Sequence, residues 1–228
     1  MTYNNLFILE FAESKTLWND KFPFSVGFRP CTRSKDHNAG LMNSTPHFIW
    51  NGKEPYLIFK SLYGHIFVSE IVLEYFYASE LTGFVARPAK LTTIEGASCN
   101  GYYELQRTTI SGFAGAECGI QLLEKCSCCG RVEYSSLKFI NGLNEIELDP
   151  FHDFMCIWPL ASWFISERAK KVIDKFKIKG LFTQPISKSR LSKHNDGYGP
   201  VLQYLIAEPF LEETRQKYPE IFRTGDCD

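Results

Sequence analysis

Short apolar runs of β-strand length recur along this chain, and several of them are bounded by glycine or proline, which interrupt regular structure. They are Leu6–Phe11, Pro55–Phe59, His65–Val68, Phe84–Arg87, Tyr102–Ile110, Arg131–Ile140, Phe154–Trp158 and Leu181–Gln184. Residues 23–51 are instead irregular, with proline, glycine, asparagine and serine among few apolar pairs. The pattern predicts a chain rich in short strands.

Two helices are predicted, each beginning after a serine that follows an apolar run. Behind Ser69 and Ser166, apolar side chains recur at spacings of three and four, which places them on one helical stripe. The predicted stripes contain Val72, Tyr75, Phe76 and Ser79 in the first helix, and Ala169, Val172, Ile173 and Phe176 in the second. A glutamate follows each serine, and a serine N-cap with an acidic first turn stabilises a helix start. A third helix is predicted over Pro209–Lys217.

These elements form a repeat whose two copies lie 97 positions apart without a gap. Phe67-Val68-Ser69-Glu70 aligns with Phe164-Ile165-Ser166-Glu167, Gly83 with Gly180, and Pro88 with Pro185. Neither copy contains a catalytic group, so the repeat indicates a scaffold whose function is binding. We expect an α+β fold with two similar strand–helix–strand halves around mixed or antiparallel sheets and a cysteine knuckle between them. The halves are residues 1–110 and 111–228, as two domains or as one compact domain.

Composition and charge are those of an ordinary globular protein. Apolar residues make up 44% of the chain, charged residues 22%, and the net charge is −1. A protein built to bind nucleic acid would carry an excess of lysine and arginine. No apolar run reaches the length of a membrane span, and the first five residues contain no basic start of a signal peptide. We therefore expect a cytoplasmic protein without a membrane partner, whose eight cysteines are reduced.

Cys126 and Cys129 form a C-x-x-C pair followed directly by Gly130, a spacing at which two thiolates bind one zinc ion. A structural zinc site needs two more ligands, and the chain has no second C-x-x-C. Cys31 and His37 are the candidates, so a structural zinc ion is the candidate cofactor. Free thiols packed as small apolar side chains are one alternative, and a redox pair is another. Strands are expected on both sides of the pair, which disfavours a thioredoxin-like motif.

The two repeated helices differ in charge. The first has three glutamates between residues 70 and 80 and no basic residue, whereas the second segment has six lysines and arginines between residues 168 and 179. Such charges commonly keep an exposed helix face soluble. The other interpretation is a binding surface for an acidic protein, in which Arg168, Lys171 and Lys175 contact the partner.

Asp149, His152 and Asp153 form an acidic cluster before an apolar run. Such a cluster could bind a metal ion or perform acid–base catalysis. At a turn, the same residue types commonly make local hydrogen bonds. We favour the turn.

Several short motifs follow one another within residues 20–190. In order, they are Tyr103-Glu104-Leu105, Gly112-Phe113-Ala114-Gly115, Cys126–Gly130, Tyr134, Glu147-Leu148-Asp149, Phe151-His152-Asp153-Phe154, Ile157-Trp158-Pro159 and Phe164-Ile165-Ser166-Glu167-Arg168. This succession resembles the double-CXXCG motif proteins, which are counted among the immunity proteins of bacterial toxin systems. The family name refers to two C-x-x-C-G motifs, whereas this chain has only Cys31 in the place of the first, with His37 as the candidate substitute ligand.

The resemblance implies a cytoplasmic, non-catalytic immunity protein that binds a cognate toxin domain and blocks it. The alternative is a zinc-ribbon-like nucleic-acid-binding protein, suggested by Arg131 beside the cysteine pair and by the basic stretch Lys188–Lys193, but disfavoured by the near-neutral charge. A third hypothesis is an enzyme with a cysteine of the pair as nucleophile and His65 or His152 as base. Nothing in the sequence fixes such a dyad.

Overall fold

The computed structural model describes the chain within residues 6–11, 16–18, 27–30, 38–41, 47–61, 65–126, 132–135, 143, 148, 152–160, 162–178, 181–186 and 206–219. In these parts of the chain, strands and helices are interspersed and most strand pairs are antiparallel. The predicted α+β class is therefore confirmed. Among the described residues, no helix has the length and apolar character needed to cross a membrane.

The described helices are α1 (Glu70–Ala78), α2 (Glu167–Phe176) and α3 (Glu208–Lys217). The described strands are β1 (Leu6–Phe11), β2 (Thr16–Trp18), β3 (Gly27–Pro30), β4 (Asn38–Leu41), β5 (His47–Trp50), β6 (Ile58–Lys60), β7 (Ile66–Ser69), β8 (Phe84–Pro88), β9 (Lys90–Thr93), β10 (Tyr102–Arg107), β11 (Gly112–Phe113), β12 (Leu122–Lys125), β13 (Val132–Tyr134), β14 (Phe154–Met155), β15 (Ile157–Trp158), β16 (Phe164–Ser166) and β17 (Leu181–Pro185).

Two four-stranded antiparallel sheets share one strand order and one register. The first sheet has the order β6-β7-β10-β8, and the second sheet has the order β14-β16-β1-β17. Ser69 lies opposite Tyr102 in the first sheet, and Ser166 lies opposite Leu6 in the second. Pro88 at the end of β8 lies opposite Tyr103, the residue after Tyr102, and Pro185 at the end of β17 lies opposite Phe7, the residue after Leu6. Residues 97 positions apart thus hold the same places. That the halves repeat one design stays a prediction, which these registers support.

The third strand in each of these two orders comes from a different part of the chain in the two sheets. In the first sheet it is β10, which follows β8 in the chain, whereas in the second sheet it is β1, the first described strand. The expected division at residue 110 assigns β1 to the N-terminal half, but β1 pairs with β16 and β17. No local pattern reveals this pairing, because it joins opposite ends of the chain. The division itself stays a prediction.

Both faces of β1 are covered. Leu6 and Ile8 point into one apolar cluster, while Leu9 points into another, against which Phe7 and Phe11 also pack. This alternation follows from the two-residue period of a strand. A strand that lies between two cores needs apolar side chains on both faces. β1 is apolar at five of its six positions.

The larger core is shared by both sheets and both repeated helices. The ring of Phe154 in β14 lies 5.3 Å from that of Phe76 in α1 and 5.1 Å from that of Phe84 in β8. Burial of aromatic surface is a large stabilising contribution, so these contacts join the two sheets around one core.

The stripe prediction holds for α2 and fails in part for α1. Ala169 and Ile173 are buried in α2, as predicted. In α1 the buried residues are Val72, Leu73 and Phe76, whereas Tyr75 is exposed. Most of α1 is apolar, so more than one stripe satisfies the helical period, and the choice among them is made by packing.

Four smaller sheets accompany the two large ones: β2-β5-β9, β3-β4, β11-β15 and β12-β13. Strands β3, β4 and β5 lie within residues 23–51, where an irregular segment is predicted. That prediction is wrong for these strands. Each has only four residues, too few for a period of two to stand out.

Removing apolar contacts of β1 is expected to destabilise the whole protein. Replacing Leu9 by alanine should lower the free energy of unfolding by about 2–5 kcal/mol, because a buried leucine leaves a cavity. Phe182→Ala in the adjacent strand β17 is the matched control, since Phe182 is exposed. Urea unfolding of both variants measures the difference, and equal stability would contradict a central position of β1.

Candidate functional site

The two repeated helices contact each other and run antiparallel across the contact. The rings of Tyr75 in α1 and Phe176 in α2 stack with centroids 3.9 Å apart. At the other end, Arg168 Nη2 donates a hydrogen bond to the Glu80 carbonyl at 2.9 Å. Phe176, late in α2, thus meets Tyr75 of α1, whereas Arg168, early in α2, meets Glu80 just after the end of α1, so the two helices run in opposite directions.

Asp153 connects the end of α1 to the start of α2. Its Oδ1 accepts hydrogen bonds from Ser166 Oγ at 2.6 Å and from Arg168 Nε at 3.0 Å. Its Oδ2 accepts from the Thr82 amide at 3.0 Å and pairs with Arg168 Nη2. Burial works to raise the pKa of Asp153, but the bonds from Arg168, Ser166 and Thr82 outweigh it and hold the pKa below its usual value. Together these four residues form the Asp153 cluster.

A glycine directly before β8 allows the chain to pass close to the Asp153 cluster. Gly83 has a φ of +92°, and a Cβ there would lie 2.1 Å from the Phe154 carbonyl oxygen. Only glycine allows this approach of the two chain segments.

The Asp153 cluster bears on two predictions made from the sequence. The side chain of Asp153 makes structural hydrogen bonds, but to Thr82, Ser166 and Arg168, all more than ten positions away. They are not the local bonds that the turn interpretation expects, and Asp149 lies outside the described residues. Arg168, a predicted partner-binding residue, directs its guanidinium to Asp153 and to a backbone carbonyl. A role for Arg168 in partner binding stays a prediction, but the structure gives this side chain a role in the fold.

The charges of α2 are largely paired within the helix. Lys171 Nζ lies 2.9 Å from Glu167 Oε1, and Lys170 pairs with Asp174. Lys175 is exposed in the last turn, where a cation is favoured by the helix dipole. The predicted contact of Lys171 and Lys175 with a partner stays a prediction. The positive potential of this helix is weakened by the carboxylates of Glu167 and Asp174.

The outward surface of α1 combines acidic and large apolar side chains. Ile71 is 50% exposed, Tyr75 41% and Tyr77 54%. Glu70 and Glu74 belong to the same helix and form no ion pair with any described residue, although Glu70 Oε1 accepts a hydrogen bond from the Tyr103 hydroxyl at 3.4 Å. The charge of Glu70, together with lesser contributions that include Glu74, raises the pKa of Tyr103. This surface is therefore negative and apolar at once.

Leu57 extends this surface at the start of α1. The Ser69 amide donates a hydrogen bond to the Leu57 carbonyl at 2.8 Å, just as the Ser166 amide donates to the Asp153 carbonyl at 2.9 Å. Leu57 thus stands where the second unit has Asp153, and it is 46% exposed. The α1 face is defined as Leu57, Glu70, Ile71, Glu74, Tyr75 and Tyr77.

The substitution of leucine for aspartate explains the difference between the two helix starts. Ser166 Oγ donates to Asp153 and accepts from Ala169. Leu57 offers no side-chain acceptor, and the buried Ser69 Oγ has no hydrogen-bond partner among the described residues. In the second unit, polar side chains at this place join the two helices. In the first unit, the same place has exposed apolar side chains instead.

Sequence reasoning missed the α1 face as a site. It placed Tyr75 in the core and gave no role to Leu57, Ile71 or Tyr77. A signal was present, since only two of the nine residues of α1 are charged, which is more apolar surface than one buried stripe uses.

A second buried charged cluster lies in the first sheet. Glu104 in β10 is 1% exposed, and its two oxygens lie 2.6 Å from His65 Nδ1 and 2.6 Å from Arg87 Nε. Burial works to raise the pKa of Glu104, but His65 and Arg87 outweigh it and hold the pKa below its usual value. The corresponding residues of the second unit are Ile8, Ser162 and Gln184. His65 is buried against the Phe48 ring, which limits access to it as a base.

The cysteine pair falls partly outside the described residues. Cys126 is buried directly after β12, and β12 pairs with the antiparallel strand β13, so strands flank the pair as predicted. Cys129, Cys31 and His37 lie outside the described residues, and the zinc prediction stays open. Within the described ranges, no group of three histidine, cysteine or acidic side chains is arranged to hold a metal ion.

Comparison with protein-family models gives no match, and comparison with curated proteins gives no match either. The resemblance to the double-CXXCG proteins therefore stays a prediction.

Loss of the charge of Asp153 should destabilise the protein at neutral pH. Asp153→Asn is expected to lower the free energy of unfolding by about 1–3 kcal/mol, because Arg168 and Ser166 lose a charged acceptor. The lowered pKa of Asp153 contributes stability above its unfolded pKa of about 3.9, and that contribution is lost as the pH falls through the folded value. The free energy of unfolding, measured from pH 7 down to acid, should therefore fall less steeply below about pH 4 in the variant than in the unaltered protein. Glu74→Gln, at an exposed position, should keep the original profile.

Arg87 and Glu104 should be energetically coupled. Glu104→Ile places the corresponding residue of the second unit at this position and leaves Arg87 without its carboxylate. Because Arg87 is 27% exposed, we expect this loss of a charged hydrogen bond to cost about 1–3 kcal/mol. The double variant Arg87→Gln and Glu104→Ile should lose at least about 1 kcal/mol less than the sum of the two single variants. Additive losses in a double-mutant cycle would contradict this pairing.

Proposed function

We propose that this protein is a non-catalytic immunity protein that binds a cognate toxin domain and blocks it. The observation that carries the proposal is the α1 face. Two helices hold equivalent places in two equivalent sheets, yet only α1 exposes large apolar side chains among unpaired carboxylates. Exposed apolar patches of this kind, rimmed by polar groups, are typical of protein interaction sites.

The other charged groups support the same proposal. Asp153 and Glu104 are the buried carboxylates of the described chain, and each is held by structural hydrogen bonds. Charges used in this way position helices and strands. The α1 face is a charged surface that these structural hydrogen bonds do not use, and a surface that binds and blocks needs no reacting group.

A protein partner fits the α1 face better than a nucleic acid does. Glu70 and Glu74 repel phosphate groups, and binding of a nucleic-acid backbone depends on lysine and arginine. The zinc-ribbon-like alternative gains no support from this surface. A cytoplasmic location is part of the proposal, since the protein must meet the toxin inside the cell that produces both.

Co-expression with the neighbouring gene tests the proposed function. Under the proposal, the adjacent open reading frame encodes a secreted polypeptide with a variable C-terminal domain. This protein should co-purify with that domain and restore growth of cells in which the domain is expressed. Growth arrest that persists in its presence, without a complex, would contradict neutralisation, and so would catalytic turnover by the purified protein.

A further inference from the structure

The Asp153 cluster and the α1 face occupy matching positions in the two units. Asp153 corresponds to Leu57 because their carbonyls accept from the equivalent Ser166 and Ser69 amides, and Arg168 corresponds to Ile71 at the spacing of 97 positions. In the second unit, both side chains have hydrogen-bond partners within the chain: Asp153 accepts from the Thr82 amide, and Arg168 donates to the Glu80 carbonyl. In the first unit, the same place presents two aliphatic side chains that are about half exposed.

The chemistry of the α1 face describes what would cover it. Its aliphatic centre loses contact with water when it is covered, which favours association. Tyr75 and Tyr77 add large, rigid side chains of the type that dominates binding energies at interfaces. Glu70 and Glu74 lie beside them without cationic partners among the described residues, so the surface that completes the site must supply the positive charge.

We infer that the α1 face receives a protein partner through a basic surface that also carries an apolar anchor. The anchor packs on Leu57 and Ile71, and lysine or arginine side chains around it pair with Glu70 and Glu74. This inference rests on the proposed function and specifies the partner's surface. It assigns partner binding to α1 rather than to the lysines of α2.

Matched charge reversals on the two helices separate these surfaces. Glu74 and Lys171 hold equivalent positions, 97 residues apart, and both are exposed. The probe is the purified C-terminal domain of the neighbouring polypeptide, titrated by calorimetry at low and at high salt. Glu74→Lys should weaken its binding at least about tenfold at low salt and reduce the salt dependence, whereas Lys171→Glu should change the affinity less than about twofold.

The apolar centre is tested with Ile71→Ala. Truncation of an anchor at the centre of an interface should weaken binding of the same domain at least about tenfold, with little change in salt dependence. Leu122→Ala, at another exposed apolar position, is the control and should bind normally. Thermal melts within a few degrees of the unaltered protein establish that each variant is folded.

The outcomes distinguish the inference from the function on which it rests. Normal binding by Glu74→Lys and Ile71→Ala, or a loss confined to Lys171→Glu, overturns the assignment to α1 and leaves neutralisation standing. Absence of binding by the unaltered protein overturns both. Light scattering of the protein alone adds a further outcome: a dimer disrupted by both Glu74→Lys and Lys171→Glu would show that the basic surface belongs to a second copy of this chain.

Discussion

The position of β1 between β16 and β17 is the constraint on which the rest of the structure depends. Its five apolar residues alternate between two apolar clusters, so the strand is packed on both faces and hydrogen-bonded on both edges. Without it, β16 and β17 would not be joined in one sheet, and α2, which connects them in the chain, would lose the sheet on which it packs. Residues from opposite ends of the chain must therefore meet before the second unit is complete.

Once both sheets are complete, they hold α1 and α2 in contact over a common core. The two helices are built alike on their buried sides and differently on their outer sides. On one side Asp153 and Arg168 close the junction between the helices with charged hydrogen bonds. On the other, Leu57 and Ile71 leave the junction open to water. The two sheets share strand order and register, and at these positions the two units differ in their side chains, which leaves α1 with exposed apolar surface.

Local signals predicted a good part of this architecture. The strand Leu6–Phe11, the helix starts after Ser69 and Ser166, and the last helix all depend on short-range patterns, and they lie where the sequence places them. Pairing of β1 with β16 could not be predicted, since its partners are remote. The role of Asp153 was also hidden, because its donors come from two remote places in the chain, Thr82 and the start of α2. Tyr75 was assigned to the core since helical periodicity alone does not distinguish between two apolar stripes.

The central claim is that this molecule acts through the α1 face while its remaining charged groups serve the fold. Amide hydrogen exchange, measured with and without the C-terminal domain encoded by the neighbouring gene, tests it most directly, because exchange slows where a partner covers or stabilises a helix. The account predicts slower exchange in residues 70–78 on binding, with residues 167–176 and the strands β12 and β13 unchanged. Slower exchange in residues 167–176 alone, or in β12 and β13 alone, would contradict it.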